Sequence, residues 1–135
     1  MSISESSGTY DHYEAPKMNI LLPTDWHERK SMPLASGVLD YFPLALMEVA
    51  KVSKIGNDQH NPGQPLHWAR GKSMDHADCI VRHLVDRGTV DVDGGLHSAK
   101  LAWRSLALLE EEVEEILISL GMTREQAAGR GSRFV

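Results

Sequence analysis

The apolar positions of "YFPLALMEVAKVSKI" (Tyr41 to Ile55) recur with the spacing of a helix. Counted from Glu48, Tyr41, Leu44, Ala45, Val52 and Ile55 stand at i−7, i−4, i−3, i+4 and i+7, one face of a 3.6-residue repeat. The pattern predicts a helix over residues 39–55, with Asp40 as N-cap, Pro43 in the first turn and Gly56 and Asn57 at the end. Glu48 sits in the middle of the apolar face, where an ionised carboxylate is costly unless paired. Lys51 and Arg82 are candidate structural partners, and a bound cation is the functional alternative.

The same reading predicts a second helix from Ser73 to Gly88, with Ala77, Ile80, Val81, Leu84 and Val85 as its core stripe. A third covers residues 96–120, with Leu106, Leu109, Val113, Ile116 and Leu120 on one stripe. Thr123 with Gln126 reads as a capping box for a short last helix. Between the first two helices, "NDQHNPGQPLHWARGK" is a loop long enough to suggest function. No strand alternation or internal repeat stands out. The expectation is an all-α bundle of three principal helices. A mobile or extended arm over residues 1–37, polar and Ser-rich at first, precedes a helical domain over residues 38–121. A short helix and loose tail follow over residues 122–135.

Composition narrows the class. The chain has 135 residues, 41% hydrophobic and 24% charged, as in an ordinary globular domain with room for a real core. A net charge of −5 argues against a general nucleic-acid binder, which needs a basic face. One cysteine, Cys79, excludes an internal disulfide framework and a Cys-based zinc cluster. The first residues lack the basic and apolar regions of a signal peptide, and no apolar run reaches the ~20 residues of a membrane span. The expectation is a soluble, cytoplasmic protein with no membrane partner.

Candidate chemistry begins with carboxylates. Asp75-x-x-Asp78 projects two acids to one side of the second helix. Asp75 fits a helix N-terminus on electrostatic grounds alone, whereas Asp78 borders the apolar stripe. Glu48, Asp75 and Asp78 together would attract a hard divalent cation such as Mg²⁺ or Mn²⁺. Lys51, Lys54, Lys72 and Arg82 lie around them in sequence and suit the phosphates of a metal–phosphate substrate. The run "LEEEVEE" reads as a wet helix face, with Glu111 and Glu114 as reserve ligands. His76 and His83 lack a zinc-type third member, no His-Asp dipeptide occurs, and no Walker-type loop is present. Trp26 and Trp68 could stack on a base, while Trp103 suits core packing.

These residues resemble the signature of the MazG-like all-α nucleoside triphosphate pyrophosphohydrolases, which pair E-x-x-E on one helix with E-x-x-D on the next. Glu48 and Asp75-x-x-Asp78 match. Lys51 replaces the second Glu of the first pair and Asp75 the Glu of the second. A phage-encoded dATP/dGTP diphosphohydrolase branch is more similar, through "EVAKV" with Gly56, Trp68, Asp78 to Leu84 and Asp91 to His97. The resemblance covers about residues 41–110. It implies cleavage of a purine nucleoside triphosphate, dGTP or GTP, to monophosphate and pyrophosphate. It also implies two or more Mg²⁺ or Mn²⁺ ions on Glu48, Asp75 and Asp78. Lys51, Lys54, Lys72 and Arg82 would grip the phosphates, with Trp68 and Asn57 at the base. A homodimer or homotetramer would complete the bundle. The alternatives are a non-catalytic helical interaction module and a metal-dependent phosphohydrolase that cuts elsewhere.

Overall fold

The computed structural model describes residues 25–130, with side chains to residue 128. The expected mobile segment over residues 1–17 lies outside the described residues. The chain divides into two compact units, residues 1–33 and residues 34–135. In the first, α1 (Trp26–Lys30) is a helical turn within the segment expected to be a mobile or extended arm. Asp25 caps it by accepting from Glu28 N at 3.4 Å, and the Lys30 ammonium lies 4.3 Å over the Trp26 ring.

The second unit is all-α. It opens with a π-helical turn, Ala35–Leu39, which overlaps the end of that expected arm. Four helices follow: α2 (Pro43–His60), α3 (His76–Val85), α4 (His97–Ser119) and α5 (Arg124–Arg130). Asp40 closes the π-turn instead of capping α2, which starts one residue past Phe42 with Pro43 in its first turn. Nor does α2 stop at Gly56 and Asn57. Asn57 is buried in the helix and faces inward, so it fastens the following loop instead of ending the helix. Helix α3 is shorter than its sequence pattern, and Asp75, at the N-cap position, accepts from the Cys79 thiol and the Arg82 guanidinium instead of capping it. The capping box before α5 closes in both directions: Thr123 N donates to Gln126 Oε1 (2.9 Å) and Gln126 N to Thr123 Oγ1 (3.1 Å).

Helix α4 is the spine, packed along α3 and also against α2 and α5. Small side chains let it approach closely: Ala99 and Ala107 are buried on it, with Cys79 of α3 and Ala127 of α5, and Leu117 is the large apolar side chain buried beside them. No large side chain is fully buried among the described residues. The expected stripes are therefore rotated out of the core. Helix α3 turns His76 and Cys79 inward, while Val81, Leu84 and Val85 (71% exposed) face out. Leu106, Leu109 and Leu120 of α4 are exposed too, and so are Tyr41, Leu44 (83% exposed) and Met47 around Glu48. Val52, Ile55, Ile80, Val113 and Ile116 of those stripes stay half-buried, and the rest of each stripe is left exposed. No helix among the described residues is long and apolar enough to cross a membrane.

Candidate functional site

A cleft of about 940 Å³ opens between the C-terminal half of α2, the 61–74 loop, α3 and α4. Its size falls in the range of small-molecule sites. A shallower groove of about 450 Å³ runs along α4 alone, walled by Leu108 and Ile116 with Glu111, Glu112 and Glu115, and no cationic side chain lines it.

Asn57 builds the rim of the cleft. Its Nδ2 donates to Gln64 O (3.0 Å) and its Oδ1 accepts from His67 N (3.1 Å), so one buried amide holds both ends of the loop turn. That loop delivers Trp68, half-buried, edge-on to Trp103 at 5.8 Å and under the Arg70 guanidinium at 4.4 Å. Trp103 lines the cleft rather than a sealed core, and its Nε1 donates to Ser53 Oγ on α2 at 2.7 Å.

The floor is polar. His76 (5% exposed) has its Nδ1 3.3 Å from Arg104 Nη1. Arginine can only donate, so Nδ1 accepts and Nε2 carries the ring proton. That proton-bearing atom is buried 3.1 Å from Glu111 Oε2 but off the line of a hydrogen bond, leaving a sealed donor without a partner. Glu111 also accepts from Gly71 N at 3.5 Å. Deeper on α4, Glu114 (5% exposed) lies 2.9 Å from Arg70 Nε. Burial pushes its carboxyl up, with Arg70 opposing and Glu110 and Glu111 reinforcing. The "LEEEVEE" run is thus not one wet face, because Glu114 points inward.

The far wall is the turn before α4, closed by an antiparallel bridge between Val90 and Leu96. Lys100 Nζ donates to Asp91 and Asp93 at 2.6 Å each. These bonds, with the Gly95 N–H, hold the Asp93 carboxyl down at about 2. They hold Lys100 protonated, outweighing its burial. Beside it, His83 Nδ1 and His97 Nδ1 stand 3.0 Å apart.

Of the residues singled out in sequence, Asn57, Trp68, Lys72 and the reserve ligand Glu111 line this cleft, and Glu48, Lys51, Lys54, Asp75, Asp78, Arg82 and Glu114 do not. Glu48 is only partly exposed and touches Lys51 at 3.9 Å, so it sits in no core. Lys54 pairs with Asp58 at 2.8 Å on the outer face of α2. The Asp75 carboxyl is held down, first by the Cys79 thiol and then by Arg82 at 3.4 Å. Asp78 is exposed, with no side-chain bond among the described residues. No three His, Cys, Asp or Glu among the described residues stand close enough to hold a metal. Lys100, Arg104, His76 and Asp93 were missed. Asp91-x-Asp93-Gly-Gly with a lysine in the first turn of the helix that follows was the available signal for the Lys100 clamp. Set against protein-family models, curated proteins and solved structures, the chain finds no match.

Proposed function

We propose that this chain hydrolyses a purine nucleoside triphosphate, dGTP or GTP, to its monophosphate and pyrophosphate in the cytoplasm, with Mg²⁺ or Mn²⁺. The cleft carries the reading. It gathers an aromatic wall (Trp68), a loop anchor (Asn57) and two cations with no carboxylate partner among the described residues (Lys72 and Arg104) in a space of nucleotide size. In an acidic chain such a local grouping suits a polyanionic ligand better than a general surface does.

Trp68 would take the base against its ring, held by the loop that Asn57 fastens. Lys72, whose ammonium pairs with no carboxylate among the described residues, and Arg104 would neutralise the phosphate chain. The metal is a separate matter. Glu48 and Asp78 have the hard oxygen donors and lack tight partners, but one chain does not bring them together with Asp75. Both sit beside uncovered apolar side chains, Glu48 by Leu44 and Met47, Asp78 by Val81 and Val85. Association of copies across these faces would be what assembles a homodimeric or homotetrameric centre. A bound divalent ion lowers the pKa of a water and stabilises charge on the departing pyrophosphate.

The test is incubation of the purified protein with the eight common nucleoside triphosphates in Mg²⁺, Mn²⁺ or EDTA, with products separated by chromatography. Monophosphate and pyrophosphate, abolished by EDTA, are expected. Release of single phosphate or triphosphate would reassign the bond cut. No turnover would leave the second reading, a helical interaction module, which the uncovered faces of α2 and α3 favour.

A further inference from the structure

The two imidazoles between α3 and α4 have a consequence for ligand binding that does not depend on turnover. His83 lines the cleft, and its Nδ1 faces His97 Nδ1 at 3.0 Å, with the rings tilted 36°. Two ring nitrogens at that distance share one proton, so one ring donates through Nδ1–H and the other accepts. The donor ring then has a bare Nε2. A single added proton can settle there and leave the central bond intact and charge-assisted. A second would place a proton on both facing nitrogens and break it. The pair therefore stores one proton.

The charges around it decide when that proton is held. Lys100 and Arg104 of α4 oppose it, Asp91 of the turn favours it, and burial of His83 opposes it most. Asp93 bears on the pair through its grip on Lys100. Asp91 and Asp93 take up Lys100, which leaves Arg104, bonded among the described residues only to His76, and Lys72 of the loop as the cleft's cations for an anion. We infer that the cleft binds a multivalent oxyanion with uptake of one proton by the His83–His97 pair. The arriving negative charge offsets Lys100 and Arg104, and the proton follows it. Binding is then tightest on the acid side of neutrality.

Sulfate is the probe, because it stays fully ionised over the range and its own titration cannot imitate the effect. Its affinity for the full chain would be measured from pH 8 to 5.5, together with protons taken up in weakly buffered solution. The expected result is uptake approaching one proton per sulfate, with affinity rising up to about tenfold per pH unit across the window. His83→Asn and His97→Asn should each flatten that slope while sulfate still binds at pH 8. The wild-type proton count stands even if one variant fails to fold. No sulfate binding, a pH-independent affinity, or a slope that both folded variants retain would overturn the inference. A protein that hydrolyses no nucleotide can still pass this test, so its failure is distinct from failure of the enzymatic reading.

Discussion

Lys100 Nζ donates to Asp93 Oδ2 across 2.6 Å and so fixes the first turns of α4 to the loop that precedes it. Asp91 takes a second bond of the same length, and Gln59 of α2 donates to Asp93 at 3.3 Å. Helix α2, the turn and α4 thus meet on the Asp93 carboxylate, at the wall of the cleft.

Lys100→Met should unclamp that wall. Removing the donor leaves two carboxylates facing each other in a partly buried turn, at a cost of about 1–3 kcal/mol. Chemical denaturation should show a lower midpoint with an unchanged slope. The wild type also carries an acid signature. Asp93 titrates near 2 when folded and near the ordinary carboxylate value when unfolded, so its contribution is present above about pH 4 and lost as pH falls toward 2. Asp93→Asn should weaken that acid arm.

His83 gives a second pH dependence at a higher window. Its proton affinity is lowered in the fold, chiefly by burial and then by His97 and Lys100. Below about pH 6.5 the unfolded chain takes up a proton that the folded chain resists, so stability falls as pH drops through that value. His83→Asn should flatten the melting temperature between pH 7 and 5.5. An unchanged profile would place the acid sensitivity on another histidine.

Arg70 and Glu114 are coupled across the loop and α4, and a double-mutant cycle should show it. Arg70→Ala leaves Glu114 buried without its cation, beside Glu110 and Glu111, and should destabilise by about 1–3 kcal/mol. Glu114→Gln should cost less, because it removes the like-charge repulsion along with the pair. In the Glu114→Gln background, Arg70→Ala should then have a reduced effect. Additive losses would mean that Arg70 acts through its stacking on Trp68 instead.

The helices and the last capping box were legible in the sequence because they rest on local periodicity and cap chemistry. Which face of each helix packs inward was not. Apolar spacing identifies a stripe, yet α4 packs through Ala99, Ala107 and Leu117, and α3 through His76 and Cys79, leaving Val81, Val85 and Leu109 outside. The site divides along the same line. Trp68, Asn57 and Lys72 were legible because a long loop with turn residues announces itself. Lys100 and Arg104 stand on the N-terminal half of α4 among apolar neighbours, and only the tertiary fold of the preceding turn brings Asp91 and Asp93 to Lys100.

The uncovered stripes and the scattered acids meet in one last prediction. If Glu48 of one copy completes the cleft of another, two inactive variants should rescue each other. Glu48→Gln should abolish turnover by removing a proposed metal oxygen, and Lys72→Ala should do so by removing a phosphate cation. Mixed under conditions that exchange subunits, they should regain part of the wild-type rate, because some assemblies pair an intact Glu48 with an intact Lys72. Val85→Glu places a charge on an outward-facing α3 side chain that is 71% exposed in the single chain. It should leave the helical signal unchanged, reduce the mass measured by sedimentation, and lower turnover with it. Should both inactive variants stay inactive on mixing while Val85→Glu remains active as a single chain, each copy must hold its own complete site.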